Sequence, residues 1–276
     1  MFEFEILARG VYRPEDLQIT YQSSQRLLFH VEQQASMDEL WQQKLQQAQQ
    51  QQRLLFDAPL YRFIDAQSGA SNTLALMLGD TSYKEYVLTR ETSFTQGRSR
   101  GELGNPLSVC SVVETSDGFI LLEQRQGVDV YVGRYHVIGG FFERGLDTTE
   151  HQLPDPFAAM QREILEETGI QATDIREQIC LGLVYDLATP HAELCFLTRL
   201  HIPLTMVLQR KPEDHEIKNL QTLHVSATSL QQFLLEKHGN ISATGEPNLL
   251  FYGALKFGES WLETVISAIS NLPSVK

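Results

Sequence analysis

Apolar and polar residues change period along the chain, and each period predicts a different element. Apolar blocks at 107–114 and 119–125, parted by Ser116-Asp117-Gly118, predict a β-hairpin, because strand-forming runs joined by a short turn favour antiparallel pairing. Residues 178–185 and 193–200 predict two further strands around a loop holding Pro190. Near the start, 2–7, 17–21 and 26–32 read as strands. Ser36-Met37-Asp38-Glu39 has the spacing of a capping box, predicting a helix that runs into the glutamine-rich stretch 42–52 with Trp41 and Leu45 on its buried side. Helical spacing returns at 229–236 and 260–270, with Gly239 and Pro247 as breaks. The segment 95–104, with Gly97, Arg98, Arg100, Gly101 and Gly104, reads as a linker. It divides a small α+β unit, 1–105, from a larger region, 106–276.

One predicted helix is crowded with charge. Asp155 caps its free amides, Pro156 fits its first turn, and Gly169 closes it in a left-handed conformation. Phe157, Ala158, Ile164 and Leu165 supply the apolar face, whereas Glu163, Glu166 and Glu167 stand at i, i+3 and i+4 and share another. Like charges so spaced repel by roughly a few tenths of a kcal/mol per pair, which calls for a cation over them. A divalent metal suits three carboxylates. Upstream, His136-Val137-Ile138 leads into Gly139-Gly140-Phe141-Phe142-Glu143-Arg144-Gly145. A strand, a glycine loop and a helix in that order let backbone groups approach a ligand closely.

Composition narrows the function class. At 276 residues and 42% hydrophobic content the chain can bury one large core or two modest ones. No apolar run approaches the ~20 residues of a membrane span, so no membrane partner is expected. Acids in Met1-Phe2-Glu3-Phe4-Glu5 stand where a signal peptide would carry bases, and Cys110, Cys180 and Cys195 lie in apolar runs without metal spacing. Buried reduced thiols and a cytoplasmic location are therefore expected. The net charge of −13 argues against a nucleic-acid partner. It also opposes a phosphate-rich substrate unless Mg²⁺ bridges protein and phosphate. His151, His191 and His215 have no zinc spacing, and no phosphate-loop, dinucleotide, serine-hydrolase or Cys-x-x-Cys pattern occurs.

Arg162-Glu163-Ile164-Leu165-Glu166-Glu167-Thr168-Gly169-Ile170 resembles the rear half of the Nudix box, the signature of hydrolases that cleave nucleoside diphosphates linked to another moiety. The full pattern is a glycine, five residues, a glutamate, seven residues, then R-E-U-x-E-E-x-G-U with U aliphatic. Counted from Gly140, the glutamate position holds Leu146, and eight extra residues at about 147–154 precede Arg162. In the family that glutamate supports the loop more than the metal; neither Glu143 nor Asp147 is assigned its place. The runs 55–62 and 78–86 with Thr89, then Asn105-Pro106-Leu107, and more weakly Pro212-Glu213 and His215-Glu216, resemble the animal uridine diphosphate glucose pyrophosphatases of that superfamily. Those relatives share a lengthened loop before the helix.

The resemblance implies an α/β/α sandwich with a mixed sheet over 106–276, including carboxy-terminal helices, preceded by a small α+β amino-terminal domain over 1–105 that contributes to nucleotide binding. It implies hydrolysis of a UDP-sugar, UDP-glucose or UDP-galactose, to UMP and a sugar 1-phosphate. The alternatives are ADP-ribose or another nucleoside diphosphate derivative, or a non-hydrolysing nucleotide sensor; a sensor is expected to have lost box carboxylates, and all three remain. Mg²⁺, or Mn²⁺, would be held by Glu163, Glu166, Glu167 and the Gly139 carbonyl, with Arg162 fixing a box glutamate. The resemblance also calls for an extra acidic residue as base, Glu216 in preference to Glu193, with Glu167 able to serve. By residue chemistry, Phe56, Tyr83 and Tyr86 suit stacking on a base, and Asp57 and Arg62 suit hydrogen bonds to it. Arg125 and Arg134 suit phosphate oxygens, and Gly140 lets substrate approach the loop. A homodimer is a family habit, though no apolar stripe marks an interface.

Overall fold

The computed structural model describes residues 2–51, 54–69, 72–126, 130–212 and 220–272. In chain order the main elements are β1 (Phe4–Tyr12), β2 (Leu17–Arg26), α1 (Val31–Gln50), β3 (Pro59–Ser68), β4 (Leu74–Ser82), α2 (Tyr83–Thr89), α3 (Thr92–Thr95), β5 (Leu107–Glu114), β6 (Phe119–Gln124), β7 (Tyr135–His136) and β8 (Ile138–Phe141). There follow α4 (Pro156–Thr168), β9 (Ile175–Asp186), β10 (His191–Leu200), α5 (Leu204–Val207), β11 (Leu220–His224), α6 (Ala227–Lys237), α7 (Gly245–Phe257) and α8 (Glu259–Ser270). The protein is a mixed α+β structure.

Its large sheet has eight strands in the order β1-β9-β10-β5-β6-β11, with β7 on β6 and β8 on β5. The β5–β10 pair is parallel and the rest antiparallel, so the sheet is mixed. Every position of β5 is buried, as expected of a central strand covered on both faces. On one face Leu107 and Val109 pack with Phe157, Met160 and Ile164 of α4. On the other, Cys110 and Val112 pack with Leu230, Leu249 and Val265 of α6, α7 and α8. This gives α/β/α layering.

The three-stranded sheet β2-β4-β3 adds Tyr61, Phe63, Leu74, Leu76 and Leu78 to the α4-side core, while β1 forms the edge of the large sheet beside β9. Among the described residues no helix is long and apolar enough to cross a membrane. All three cysteines are buried and free.

Several elements differ from the pattern in the sequence. Residues 26–32 do not form a strand: β2 ends at Arg26, and α1 starts one turn ahead of the expected capping box, at Val31. There the Gln33 side chain accepts from the His30 amide at 2.9 Å, and Ser36 only donates to Glu32 O inside the helix. Pro247 does not break the chain but sits in the first turn of α7, where a missing N–H costs no hydrogen bond. The segment 95–104 is not a free linker. Arg98 donates to Phe94 O at 2.5 Å, Arg100 pairs with Glu5 and lies over Tyr185, and Leu103 is buried.

What holds that segment is Arg62, 5% exposed, whose Nη2 donates to Gly101 O at 2.6 Å and to Leu103 O at 3.1 Å, with Nε 3.2 Å from Leu103 O. Nε and Nη2 are taken by backbone carbonyls, so Arg62, expected to hydrogen-bond a base, serves here as an internal tie. Arg62→Met would strand both carbonyls and is expected to lower stability by about 1–3 kcal/mol, measured as a lower urea midpoint; an unchanged midpoint would remove this role.

Candidate functional site

Helix α4 is fixed at both ends. The Asp155 carboxylate accepts from Phe157 N at 3.0 Å and Ala158 N at 3.1 Å. Gly169 closes the other end at φ 73°, and a Cβ there would lie 2.3 Å from Lys211 O, so both the backbone angle and the space demand glycine. The rotation of α4 about its axis is thus set by its apolar face, and Glu163 and Glu167 turn inward towards β8.

Arg162 organises this end of the helix. Its Nε and Nη2 form a two-pronged bond to Asp147, at 2.8 and 2.9 Å, and Nη2 also donates to Phe141 O at 3.0 Å. Its Nη1 lies 2.9 Å from Glu163 Oε1 and 2.8 Å from Glu166 Oε2. Arg162 thus touches two glutamates of its own helix, and its two-pronged partner is Asp147, 1% exposed. Asp147 also accepts from Glu143 N at 2.7 Å. An aspartate one place after Leu146 thus does the loop-supporting work.

The insert does not disturb this. Asp155 N donates to Asp147 O at 3.0 Å, and Thr148 pairs with Pro154 in an isolated bridge, so 148–154 leaves and returns at one neck.

Glu167 and Glu163 lie against the glycines. Gly139 N donates to Glu167 Oε2 at 3.2 Å, and a Cβ on Gly140 would fall 2.4 Å from Glu163 Oε1. Burial pushes the Glu163 carboxyl up to about 8; Arg162 opposes the rise, and Glu166 and Asp147 add to it. Burial also lifts Glu167 well above the carboxylate range, reinforced by Glu123 and then Glu163. The cluster carries more negative charge than its surroundings neutralise. Glu166 is turned to Arg162, so the three glutamates do not converge on one point. Among the described residues the only triple of Cys, His, Asp or Glu ligand atoms within 4.8 Å of one another is Cys110, His136 and Glu193.

Of the other expected residues, Arg125 borders the cluster and Tyr83 packs on the Phe141 ring. Arg125 Nη1 is 3.2 Å from Glu123 Oε1, and its charge opposes the rise at Glu167. The Tyr83 ring centroid lies 5.7 Å from that of Phe141, next to Gly140. Tyr86, 1% exposed, belongs to the same aromatic group and is core. Asp57 accepts from Lys84 N at 2.8 Å, which tethers the start of α2, and Phe56 is exposed. Arg134, expected at a phosphate, pairs with Glu3 and lies over Tyr131. Glu216 lies outside the described residues. Glu193 is 3% exposed on β10; burial works against its charge, yet His191, 3.7 Å away, holds its carboxyl down to about 2. The reading from sequence missed Glu123, whose signal was a carboxylate ending the buried run Ile120-Leu121-Leu122.

No protein-family model matches the chain, and no curated protein matches it. Solved structures give partial likenesses. A bifunctional NMN adenylyltransferase/ADP-ribose pyrophosphatase from Francisella tularensis, complexed with AMP and a manganese ion, is 16% identical over 58% of this chain and 42% of its own, with a TM-score of 0.38. A Nudix hydrolase from Nitrosomonas europaea is 19% identical over 55% of this chain and 90% of its own, at 0.40. The Nudix domain of Shewanella oneidensis NrtR, complexed with ADP-ribose, is 14% identical over 60% of this chain and 97% of its own, also at 0.40. The matched part spans less than half the length of the bifunctional enzyme.

Two outcomes are expected from this geometry. Asp147→Ala leaves a largely buried guanidinium and the Glu143 amide unpaired and is expected to cost about 3 kcal/mol, read from denaturant unfolding; a loss under ~0.5 kcal/mol would show that the pair is not structural. A carboxyl whose folded pKa is raised stabilises the fold below its unfolded value, 4.5 for Glu163, and loses that contribution as pH climbs through about 8. Metal-free protein is therefore expected to melt at lower temperature as pH rises across that window, and Glu163→Gln to flatten the fall. A melting temperature insensitive to pH there would contradict the charge balance.

Proposed function

We propose that this chain is a divalent-metal-dependent hydrolase of the Nudix type that splits the diphosphate of a UDP-sugar into UMP and a sugar 1-phosphate. The observation that carries the reading is the buried pair Glu163 and Glu167, seated against Gly139 and Gly140 and braced by Arg162. Two buried carboxylates lifted towards protonation by burial and by each other form a cavity for positive charge. The donor set, all oxygen, fits Mg²⁺ or Mn²⁺. Glu163 and Glu167 would hold the ion with the Gly139 backbone beside them, and Glu166 would join them on swinging away from Arg162. Bound there, it would supply the positive charge a diphosphate needs and lower the pKa of a water.

The chain's own groups supply the rest. Arg162, tied to Asp147, keeps Glu163 and Glu166 in register with the glycine loop. Glu167, ionised beside a bound cation, would be the carboxylate placed to accept the proton of the attacking water. Water adds to one phosphorus, the bridging P–O bond breaks, and the bridging oxygen leaves with the other phosphate. Arg125, at the edge of the cluster, suits the phosphate oxygens. Tyr83 and Phe141 offer aromatic surface to the base. The choice of uridine rests on the likeness of 55–62 and 78–89 to the UDP-glucose pyrophosphatases.

A hydrolysis screen of uridine, adenosine and guanosine diphosphate derivatives, with products identified by mass, is expected to show turnover of UDP-sugars that chelator abolishes and Mg²⁺ restores. Glu167→Gln is expected to lower kcat by at least ~100-fold with folding intact. Near-normal turnover in that variant, or hydrolysis without metal, would overturn the reading; turnover confined to ADP-ribose would replace the uridine assignment alone.

A further inference from the structure

On the face of the large sheet away from α4, three strands bring three different donors together: Cys110 of β5, His136 of β7 and Glu193 of β10. A ligand atom from each lies within 4.8 Å of the other two, and the residues are only 0%, 3% and 3% exposed. The start of α7 covers them: Ser242 Oγ is 2.5 Å from His136 Nδ1 and accepts from Gly245 N at 3.1 Å. That contact fixes the ring and turns Nε2 towards Glu193. A second histidine, His191, stands 3.7 Å from the other oxygen of Glu193.

Two features suit an ion at this point, although Glu193 also has Thr244 as a hydrogen-bond partner. His136 Nε2 lies 3.8 Å from Glu193 Oε1, beyond a hydrogen bond, so two buried polar atoms face each other across a gap. Two bonds of about 2.0–2.2 Å meeting at a tetrahedral ion would set such atoms roughly 3.4 Å apart, close to what is found. Asn248, fully buried, directs Nδ2 at Cys110 O, 3.2 Å away, and at Cys110 Sγ, 3.3 Å away. Its Oδ1 is the one buried side-chain polar atom without a hydrogen-bond partner among the described residues. An amide aimed at sulfur suits a thiolate, and a stranded carbonyl oxygen beside it suits a cation.

We propose that Cys110, His136 and Glu193 form a second metal site, selective for a zinc-class transition ion, with its fourth position filled by water or by Asn248 Oδ1. Thiolate and imidazole donors discriminate against Mg²⁺, so this site and the glutamate cluster would take different metals. The ion would clip β5, β7 and β10 together beneath α7, three residues ahead of Gly139. It would be a structural clip, since no open face meets solvent.

Because the ligands are buried, the test includes refolding. Full-length protein, stripped with chelator and refolded from urea with Co²⁺, is expected to develop a thiolate-to-cobalt absorption band that saturates at one equivalent. Equimolar Zn²⁺ should abolish it, and excess Mg²⁺ should not. The band should vanish in Cys110→Ser, weaken at least ~10-fold in apparent affinity in His136→Gln and Glu193→Gln, and persist in Cys195→Ser and Glu167→Gln. Absence of the band in the refolded parent protein, its survival in Cys110→Ser, or its loss in Cys195→Ser would each overturn the assignment. None of these readouts depends on hydrolysis.

Discussion

The Arg162 guanidinium meets four groups at once: Asp147 at the neck of the insert, Phe141 O in the glycine loop, and Glu163 and Glu166 on its own helix. Its planar fork can face the aspartate in two-pronged fashion while the remaining nitrogen points along the helix, which an ammonium group could not do. Loop, insert and helix thereby share one reference point. The mutual repulsion of Glu163 and Glu167 is tolerable because the positive charge beside them is held in place by Asp147, which is itself almost wholly buried.

The sheet separates two polar arrangements of opposite character. Towards α4 lie carboxylates with too little neutralising charge, lifted towards protonation. Towards α7 lies a carboxylate with imidazoles on both oxygens, where burial pushes His136 down to about 3 and so keeps that ring neutral. The strands alternate their side chains, so Val109 and Cys110, or Leu194 and Glu193, serve different faces although they are adjacent in sequence. A single residue of slip in β5 or β10 would exchange the two environments.

Much of the fold was legible. The strands at 107–114 and 193–200, the capped helix ending at Gly169 and the helices near 229 and 260 follow from local periodicity and capping, and local rules govern them. What escaped was decided by partners distant in sequence. The role of Asp147 could not be read from a motif that expects glutamate one position earlier; it depends on the neck closed by Asp155. Arg62 suited a ligand contact by its hydrogen-bonding chemistry alone, and only the fold brings 101–103 onto it. Cys110, His136 and Glu193 have no common spacing, since sheet order rather than sequence joins them.

The closed neck between Asp147 and Asp155 also bears on how such a chain can vary. A backbone hydrogen bond joins its two ends, so the excursion between them begins and finishes at one place ahead of α4. Doubling its length would add only about 0.6 kcal/mol of closure entropy. That loop is a natural place for insertion or grafting: new surface, even a new recognition element, can be attached a few residues from the glutamates without altering the first turn that aims them.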